Sequence, residues 1–532
     1  MLKRKNILLA TAAAALTGRI LFFLLFSGSF FESYHLVPGL DMQTLLRFSE
    51  WGGGADHVPF FTFHRVFIFL SWLIGGQEHH IRVIFAVQAL LGIAASVCMA
   101  DLTLKFSRSR KAALICGIIS SLYLPFLVYE FSILQESFMV YFALFAFWAT
   151  VNALRKRFEW KSSIVFALTY FAALAGRPAA VFMCGALIIF AGYKMYKRHL
   201  LKKLLLPLGT VFILLASSAA FNAYHSGIFS PFYNCLPYTM QFNSEAAVKD
   251  AVPGTVPPEN SLLLSVNQAV RRVPTLFKHG ELPENQNIYF WCEKIPELHF
   301  FPAPGAVIPL AVAGIMVLLA TGAYKSRYGL LLLPVIMLVL PLCARDPIGR
   351  YRLMLLPYFF IIAACAVVVF LRQKNPKIRG MALLAAGIGA FFSLHNGDVP
   401  QRIRPSDYSA WAMAMEYSGK CSDPDEFLDE YLTYYQSDPS SEYAFCMLMD
   451  KLIHYQKTDH AFFITGQPEC KALNPDLLHF YRALCCAQKG LPGETETHLR
   501  QIRDVRSLPQ NAYKNAFMLR DWAADALKNK VQ

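Results

Sequence analysis

VIFAVQALLGIAASVCMADLTL (residues 83–104), KFSRSRK (105–111) and AALICGIISSLYLPFLV (112–128) follow one another in this chain: two long apolar segments joined by a short basic stretch. An apolar stretch of about 17–25 residues can cross a bilayer as one helix. A basic stretch between two such segments is typical of a loop on the cytoplasmic side. These residues therefore predict two membrane-spanning helices that meet inside the cell.

Comparable apolar segments recur through the first three quarters of the chain, which is 55% hydrophobic overall with a mean hydropathy of +0.37. A soluble protein of this length is less apolar. The predicted spans are residues 7–27, 83–104, 112–128, 133–153, 162–176, 179–193, 204–222, 304–323, 328–343, 353–371 and 380–395. Residues 60–75 are also apolar, and we interpret them as interfacial or re-entrant. The sequence thus predicts an all-α polytopic membrane protein with about eleven spans.

Basic residues mark every second junction between these segments, at residues 3–5, 105–111, 155–161, 194–203, 325–327 and 372–379. This alternation predicts a cytoplasmic N-terminus and a C-terminus on the outer side of the plasma membrane. The net charge of +14 lies in the same junctions, since residues 400–532 are slightly acidic. Such a distribution favours contact with anionic membrane lipids, and we do not expect a nucleic-acid partner.

Two domains are predicted, a membrane domain over residues 1–396 and an outer helical tail over residues 397–532. The membrane domain carries outer loops at 28–82 and 223–303. In the tail, apolar residues recur at helical spacing and turns punctuate them. Ala483, Ala487 and Gly490 lie where a tetratricopeptide hairpin has small residues, although no clean 34-residue period repeats. True tetratricopeptide repeats and another array of helical hairpins both remain open.

Of the 12 cysteines, five lie in predicted spans and seven on the outer side. The outer side is an environment in which disulfides form. Seven is an odd number and the chain has no Cys-x-x-Cys motif, so the sequence does not assign a pairing.

The predicted orientation places several charged residues on the outer face: Asp41, Asp56, Glu136, Arg177, Arg345, Arg350 and Arg352, with Tyr351 among them. Carboxylates and guanidiniums at one membrane surface favour a charged substrate, and the forked donors of arginine suit phosphate. Asp41 alone would also suit a helix N-cap. Arg19 lies inside the first span, where a charge is costly and either functional or structurally paired.

The order of these motifs resembles the GT-C glycosyltransferases, and within them the bacterial dolichyl-phosphate-mannose-type protein mannosyltransferases and lipid A aminoarabinose transferases. The resemblance covers roughly residues 7–395 and rests on Arg19, Asp41, Pro59-Phe60-Phe61, Leu73-Ile74-Gly75-Gly76, Glu136, Ala175-Gly176-Arg177-Pro178, Gly349-Arg350-Tyr351-Arg352 and Pro357. The chain departs from the family after Asp41, where Met42 replaces a second acid. Asp56 is an acid further along that could share the role.

The resemblance implies a GT-C-type transferase that takes a sugar from a polyprenyl-phosphate donor at the outer face of a bacterial inner membrane. Asp41 would be the general base, with Glu136 as a second catalytic carboxylate. Arg350, Arg352, Arg177 and Arg19 would bind the donor phosphate, with Arg345 and Tyr351 as further candidates. The transfer would invert the sugar carbon. The acceptor would be a protein, lipid A or another glycan.

Alternative functions remain. A transporter or lipid flippase would need polar residues near the bilayer midplane and repeated halves, and only Arg19 fits that description. A non-catalytic scaffold would leave the outer arginines and Glu136 without a role, although the tail suits a protein partner. The histidines of the first loop lack a zinc-binding spacing, so no metal site is predicted. A divalent cation assisting the lipid phosphate stays open.

Overall fold

A computed structural model describes residues 3–38, 40–47, 62–176, 179–226, 229, 231, 262–280, 286–302, 304–343, 349–395, 403–509, 516 and 518–526. All regular elements in these residues are helices, and no β-strand occurs among them. The all-α prediction is therefore confirmed for the described part of the chain.

The chain divides into two compact units, one of residues 1–35 and 39–402, the other of 36–38 and 403–532. The α-helices of the first unit are α1 Arg4–Phe26, α2 Asp41–Arg47, α3 Thr62–Ser107, α4 Arg110–Ser121, α5 Leu124–Glu130, α6 Glu136–Arg155, α7 Trp160–Gly176, α8 Ala180–Tyr196, α9 Leu205–Ser226, α10 Leu262–Leu276, α11 Ile288–Lys294, α12 Pro304–Ala320, α13 Tyr328–Cys343, α14 Gly349–Arg352, α15 Leu356–Arg372 and α16 Pro376–Leu394. Short 3₁₀ helices lie at Phe30–Leu36, Leu201–Leu204, Pro296–Phe300 and Ala323–Lys325.

Each predicted span coincides with a helix, except that the third is a pair, α4 and α5, bent by 47°. Five of the described helices are long and apolar enough to cross a membrane, or six if the bent pair is one span. Four further apolar helices, among them α8 and α15, are shorter. The chain is thus rich in membrane-type helices, and the number of eleven spans stays a prediction.

Residues 62–75, within the apolar part of the predicted first outer loop, form the beginning of α3, which starts at Thr62. Gly76 interrupts that helix with φ 62° and ψ −167°, a backbone conformation that favours glycine. Beyond it, residues 79–107 are long and apolar enough to span a membrane. That residues 60–75 lie at the membrane interface remains an expectation.

Helix α6 is the most enclosed of the candidate spans, with 83% of its most apolar window buried against 17% for α16. It packs against α3, α7 and α8. Helix α1 packs against α3 and α4, where a side chain at Gly117 would come within 2.8 Å of Thr11 Cγ2. The core of this unit therefore lies around α6, and its helices approach closely through small residues.

Helix ends at four of the six basic junctions predicted to be cytoplasmic meet at one end of the unit. Three side-chain contacts join them: Arg4 Nη2 to Asp101 Oδ1 at 2.7 Å, Lys105 Nζ to Asn152 Oδ1 at 2.5 Å, and Arg372 Nη1 to the Ser107 carbonyl at 2.8 Å. The ends of α1, α3, α6 and α15 therefore lie together, as an alternating topology requires.

The second unit is built of helical hairpins: α17 Pro405–Ser418, α18 Pro424–Ser437, α19 Glu442–His454, α20 Thr458–Ile464, α21 Pro475–Gln488 and α22 Pro492–Arg500, with 3₁₀ turns at Pro468–Ala472 and Val505–Ser507. Each helix packs on the next. Gly419, Gln456 and Gly490 have positive φ and follow the first helix of each hairpin. A left-handed residue there ends a helix and lets the chain turn back. Whether these hairpins are tetratricopeptide repeats stays open.

Candidate functional site

Three short stretches of different helices bring charged side chains together. Asp41 is the first residue of α2, Glu136 is the first residue of α6, and Arg350 lies in the single turn of α14. Each is therefore held at the end of a helix, where its backbone is fixed and its side chain can project beyond the helix. All three lie on the end of the unit predicted to be the outer one.

Arg350 lies between two carboxylates. Its Nη1 atom is 2.5 Å from Asp41 Oδ2, and its Nε atom is 3.8 Å from Glu136 Oε1. The exposed fraction of the side chain is 46% for Asp41, 16% for Arg350 and 2% for Glu136. A buried carboxylate thus lies at ion-pair distance on the inner side of the guanidinium, while a substrate can reach the exposed carboxylate.

Met42, the residue after Asp41, joins two other segments to this cluster. The backbone N–H of Ile133 donates to Met42 Sδ at 3.3 Å, and the side-chain amide of Gln286 approaches the same sulfur at 3.7 Å. Ile133 lies in the turn before Glu136, and Gln286 comes from the second outer loop. Both are buried. The sulfur is a weak acceptor, so its contribution is mainly packing that fixes α2 beside Glu136.

An aromatic cluster holds α11 against the C-terminal end of α1. Trp291 of α11 stacks on Phe31 with ring centroids 4.0 Å apart and on Phe26 at 5.9 Å. Phe22 completes the stack at 6.1 Å from Trp291. Large buried aromatic rings contribute strongly to packing. Residues 286–294 of the second outer loop are therefore fixed close to α1.

Arg352 is almost completely buried, with 1% of its surface exposed, and its Nη1 donates to the carbonyl oxygen of Lys278 at 2.7 Å. The neighbouring His279 is hydrogen-bonded to the carbonyl of Ser393 at the end of α16. Arg352 therefore ties α14 to the residues that follow α10 in the second outer loop. Tyr351 is also buried, and the guanidinium of Arg350 lies 5.3 Å from its ring centre.

Arg19 forms a separate buried group with a residue that the sequence analysis did not single out. Its Nη2 is 2.6 Å from Glu130 Oε1, and the hydroxyl of Tyr141 donates to the same oxygen. Arg19 is 3% exposed and Glu130 is fully buried. The structural pairing that the sequence left open for Arg19 is present. Glu130 could have been identified, because an acid within an apolar segment needs a partner.

Three of the predicted site residues, Asp56, Arg177 and Arg345, lie outside the described residues. Among the residues that are described, no three or more His, Cys, Asp or Glu side chains come together in a way that could hold a metal ion. The 11 described cysteines are free thiols. The charged cluster that the structure brings together is therefore Asp41, Glu136 and Arg350.

This cluster combines a proton acceptor with a fixed cation. An accessible carboxylate can remove a proton from a hydroxyl group. A guanidinium that lies beside a buried carboxylate can receive negative charge that develops next to it. Together they can activate a nucleophile and stabilise an anionic leaving group.

Comparison with known proteins adds one structural neighbour. No protein-family profile and no curated protein matches the sequence. A crystal structure of the Archaeoglobus fulgidus oligosaccharyltransferase in complex with Zn and sulfate resembles this fold with a TM-score of 0.43 and 16% sequence identity, over 82% of this chain and 57% of that chain. This chain thus spans less than two thirds of that protein. At this TM-score the similarity carries no weight for the function.

Proposed function

We propose that this protein is an integral-membrane glycosyltransferase of GT-C type that moves a sugar from a polyprenyl-phosphate donor to an acceptor. The observation that carries the proposal is the position of Arg350 between the exposed carboxylate of Asp41 and the buried carboxylate of Glu136. The apolar helices and the order of motifs along the chain add support. A lipid-linked phosphate suits both features of this protein, because its lipid lies in the membrane beside the apolar helices and its phosphate can bind to an arginine.

In the proposed reaction Asp41 accepts the proton of an acceptor hydroxyl group as its oxygen attacks the anomeric carbon. The bond between that carbon and the phosphate oxygen breaks, and its electron pair stays on the phosphate. Arg350 receives the charge that develops on this leaving group. A single displacement of this kind inverts the sugar carbon. Arg352 and Arg177 are further candidates for the donor phosphate from the motif order.

The proposed setting is the outer face of a bacterial inner membrane, where the donor lipid and an acceptor protein, lipid A or glycan would meet. The second outer loop would close over the acceptor, as lid segments do. The helical tail would recognise the acceptor or a partner protein. Removal of residues 403–532 should then change which acceptors are used. Unchanged transfer to every acceptor would contradict this role.

The proposal is tested with purified protein in lipid nanodiscs. Radiolabelled polyprenyl-phosphate sugars are supplied with a membrane extract as acceptor source, and release of the free lipid phosphate is followed. We expect release by the wild type and a loss of at least about a hundredfold in Asp41→Asn, as removal of a general base causes. Asp429→Asn, an exposed aspartate of the tail, is the matched control. Equal release by wild type and Asp41→Asn would contradict the role of Asp41.

A second candidate function rests on the buried pair of Arg19 and Glu130. Charged residues inside membrane segments are typical of transport pathways. A lipid flippase would carry labelled lipid across vesicle membranes without releasing phosphate from any donor. Lipid movement without release in the same nanodisc and vesicle preparations would therefore favour transport over transfer.

A further inference from the structure

Arg19 lies in the interior of the first unit, where it holds a break between two helices. Its Nη1 donates to the carbonyl of Ala15 in its own helix at 3.1 Å and to the carbonyl of Ser121 at 3.0 Å. Ser121 is the last residue of α4, directly before the bend to α5. A carbonyl at a broken helix has lost its helical partner and needs another donor when it is buried. Arg19 supplies that donor.

Glu130 closes the other end of α5 and joins two further helices to Arg19. It is the last residue of α5, and its Oε1 atom accepts from Arg19 of α1 and from the hydroxyl of Tyr141 of α6. Leaving one partner of a buried ion pair without the other is strongly unfavourable. The three side chains therefore fix α1, α5 and α6 relative to one another.

The turn between α5 and α6 leads directly to Glu136, and it is held from both sides. Ser137 Oγ donates to the carbonyl of Tyr129 at 2.5 Å across the turn. On the other side the side-chain amide of Gln88 of α3 lies 3.1 Å from the carbonyl oxygen of Ser132 and 2.5 Å from that of Glu130, so it donates to both when its NH₂ group is the one turned toward them. The position of Glu136 thus follows from the position of Glu130.

Gly92 of α3 leaves the space that this ion pair occupies. A side-chain carbon at Gly92 would lie 2.5 Å from Arg19 Nη2 and closer still to Glu130 Oε1. An alanine there would therefore force the pair to move. The same substitution at Gly209 of α9 would meet no atom within 4 Å.

We propose that Arg19 is a positioning residue that acts through Glu130 and the α5–α6 turn to set Glu136 against Arg350, and that it does not bind the donor phosphate. The inference rests on the proposed glycosyl transfer. Both nitrogens at the tip of the Arg19 guanidinium already donate within the protein, and Glu130 balances its charge. An arginine whose charge is balanced in this way attracts a second anion, such as the donor phosphate, only weakly.

The test is a double-mutant cycle of Arg19→Met, Glu130→Gln and the pair together, in the donor assay described above. We expect each single variant to lower kcat at least about tenfold with the donor KM within about twofold of wild type. The double variant should be no worse than the worse single variant, because both act on one unit. A rise of about tenfold or more in donor KM after Arg19→Met, with kcat retained, or additive effects in the pair, overturns the proposal.

Gly92→Ala decides the question if Arg19→Met does not fold. It touches no group of the proposed donor site, so a lower kcat at unchanged donor KM supports the proposal. Activity equal to that of the Gly209→Ala control overturns it. Wild-type release is measured first. If the wild type releases no lipid phosphate, the proposed function itself is contradicted. If the wild type releases it and Arg19→Met changes only the donor KM, only this inference is contradicted.

Discussion

The carboxylate of Asp41 and the guanidinium of Arg350 meet at 2.5 Å although 309 positions separate them in the chain. The proposed roles of these residues, proton acceptor and phosphate ligand, cannot both be exercised while they bind each other. We expect a donor phosphate to replace the Asp41 carboxylate on Arg350. Binding of the donor would then release Asp41 for the acceptor hydroxyl at the moment when it is needed.

This competition predicts an unusual result for Asp41→Asn. The variant should bind polyprenyl phosphate about five- to tenfold more tightly than wild type, because a charge-assisted contact no longer competes with the phosphate. Its transfer activity should still be lost. Binding of a fluorescent polyprenyl phosphate to nanodisc-embedded protein measures the first effect. Weaker binding by Asp41→Asn would show that the aspartate assists the donor and does not compete with it.

Arg352 should be needed for stability as well as for any role in binding. Its replacement by methionine leaves the Lys278 carbonyl without the donor seen at 2.7 Å. A hydrogen bond from a charged group contributes about 1.5–3 kcal/mol. The thermal unfolding temperature in detergent should therefore fall for Arg352→Met. It should stay unchanged for Arg155→Met, which replaces an exposed arginine at the opposite end of the first unit. Equal unfolding temperatures for the two variants would contradict the structural role.

Hydropathy alone placed a helix at every predicted span, because each segment is apolar over most of its length. It did not predict the bend between α4 and α5. Pro125 in the first turn of α5 has no N–H to continue the preceding helix, and the freed carbonyl of Ser121 is satisfied by Arg19 from another helix. Such a break depends on a contact between residues 102 positions apart, which a local pattern does not contain.

The charged cluster could likewise be predicted only in part from the sequence. The alternation of basic junctions assigned Asp41, Glu136 and Arg350 to one side, and the structure brings these three side chains together. Which acid holds which arginine could not be derived, since the partners are chosen by helix packing. The contact of Gln286 with Met42 had no signal in the sequence, because an isolated amide in a polar loop is ordinary.

The second unit should lose stability in acid through Asp476. Burial raises the pKa of this carboxyl. Hydrogen bonds from the backbone N–H groups of Arg503 and Asp504 lower the pKa by more than burial raises it, so the pKa lies below its ordinary value. A carboxyl whose pKa is lowered by folding stabilises the fold fully at any pH above the pKa that it has in the unfolded chain, about 3.9. That stabilisation is lost as the pH falls through the folded value.

Asp476→Asn in the full chain should therefore speed hydrogen exchange at the amides of Arg503 and Asp504 by at least about fivefold near neutral pH. The difference from wild type should shrink as the pH falls toward 3, once wild-type Asp476 is itself protonated. Asp429→Asn serves as control, because Asp429 is exposed. A difference that does not depend on pH would mean that the carboxylate charge is not what holds these amides.

The predicted orientation can be checked with two exposed serines, Ser326 at the junction between α12 and α13 and Ser440 in the tail. Lys325 and Arg327 flank the first of them, and basic junctions stay in the cytoplasm. In a background without other reactive cysteines, a membrane-impermeant maleimide added to spheroplasts should label Ser440→Cys. It should label Ser326→Cys only after the membrane is opened. Labelling of both cysteines from outside would contradict the alternation of basic junctions, on which the outer position of Asp41 and Arg350 depends. Labelling in the reverse order would place the charged cluster on the cytoplasmic face. The donor would then have to be presented on that face.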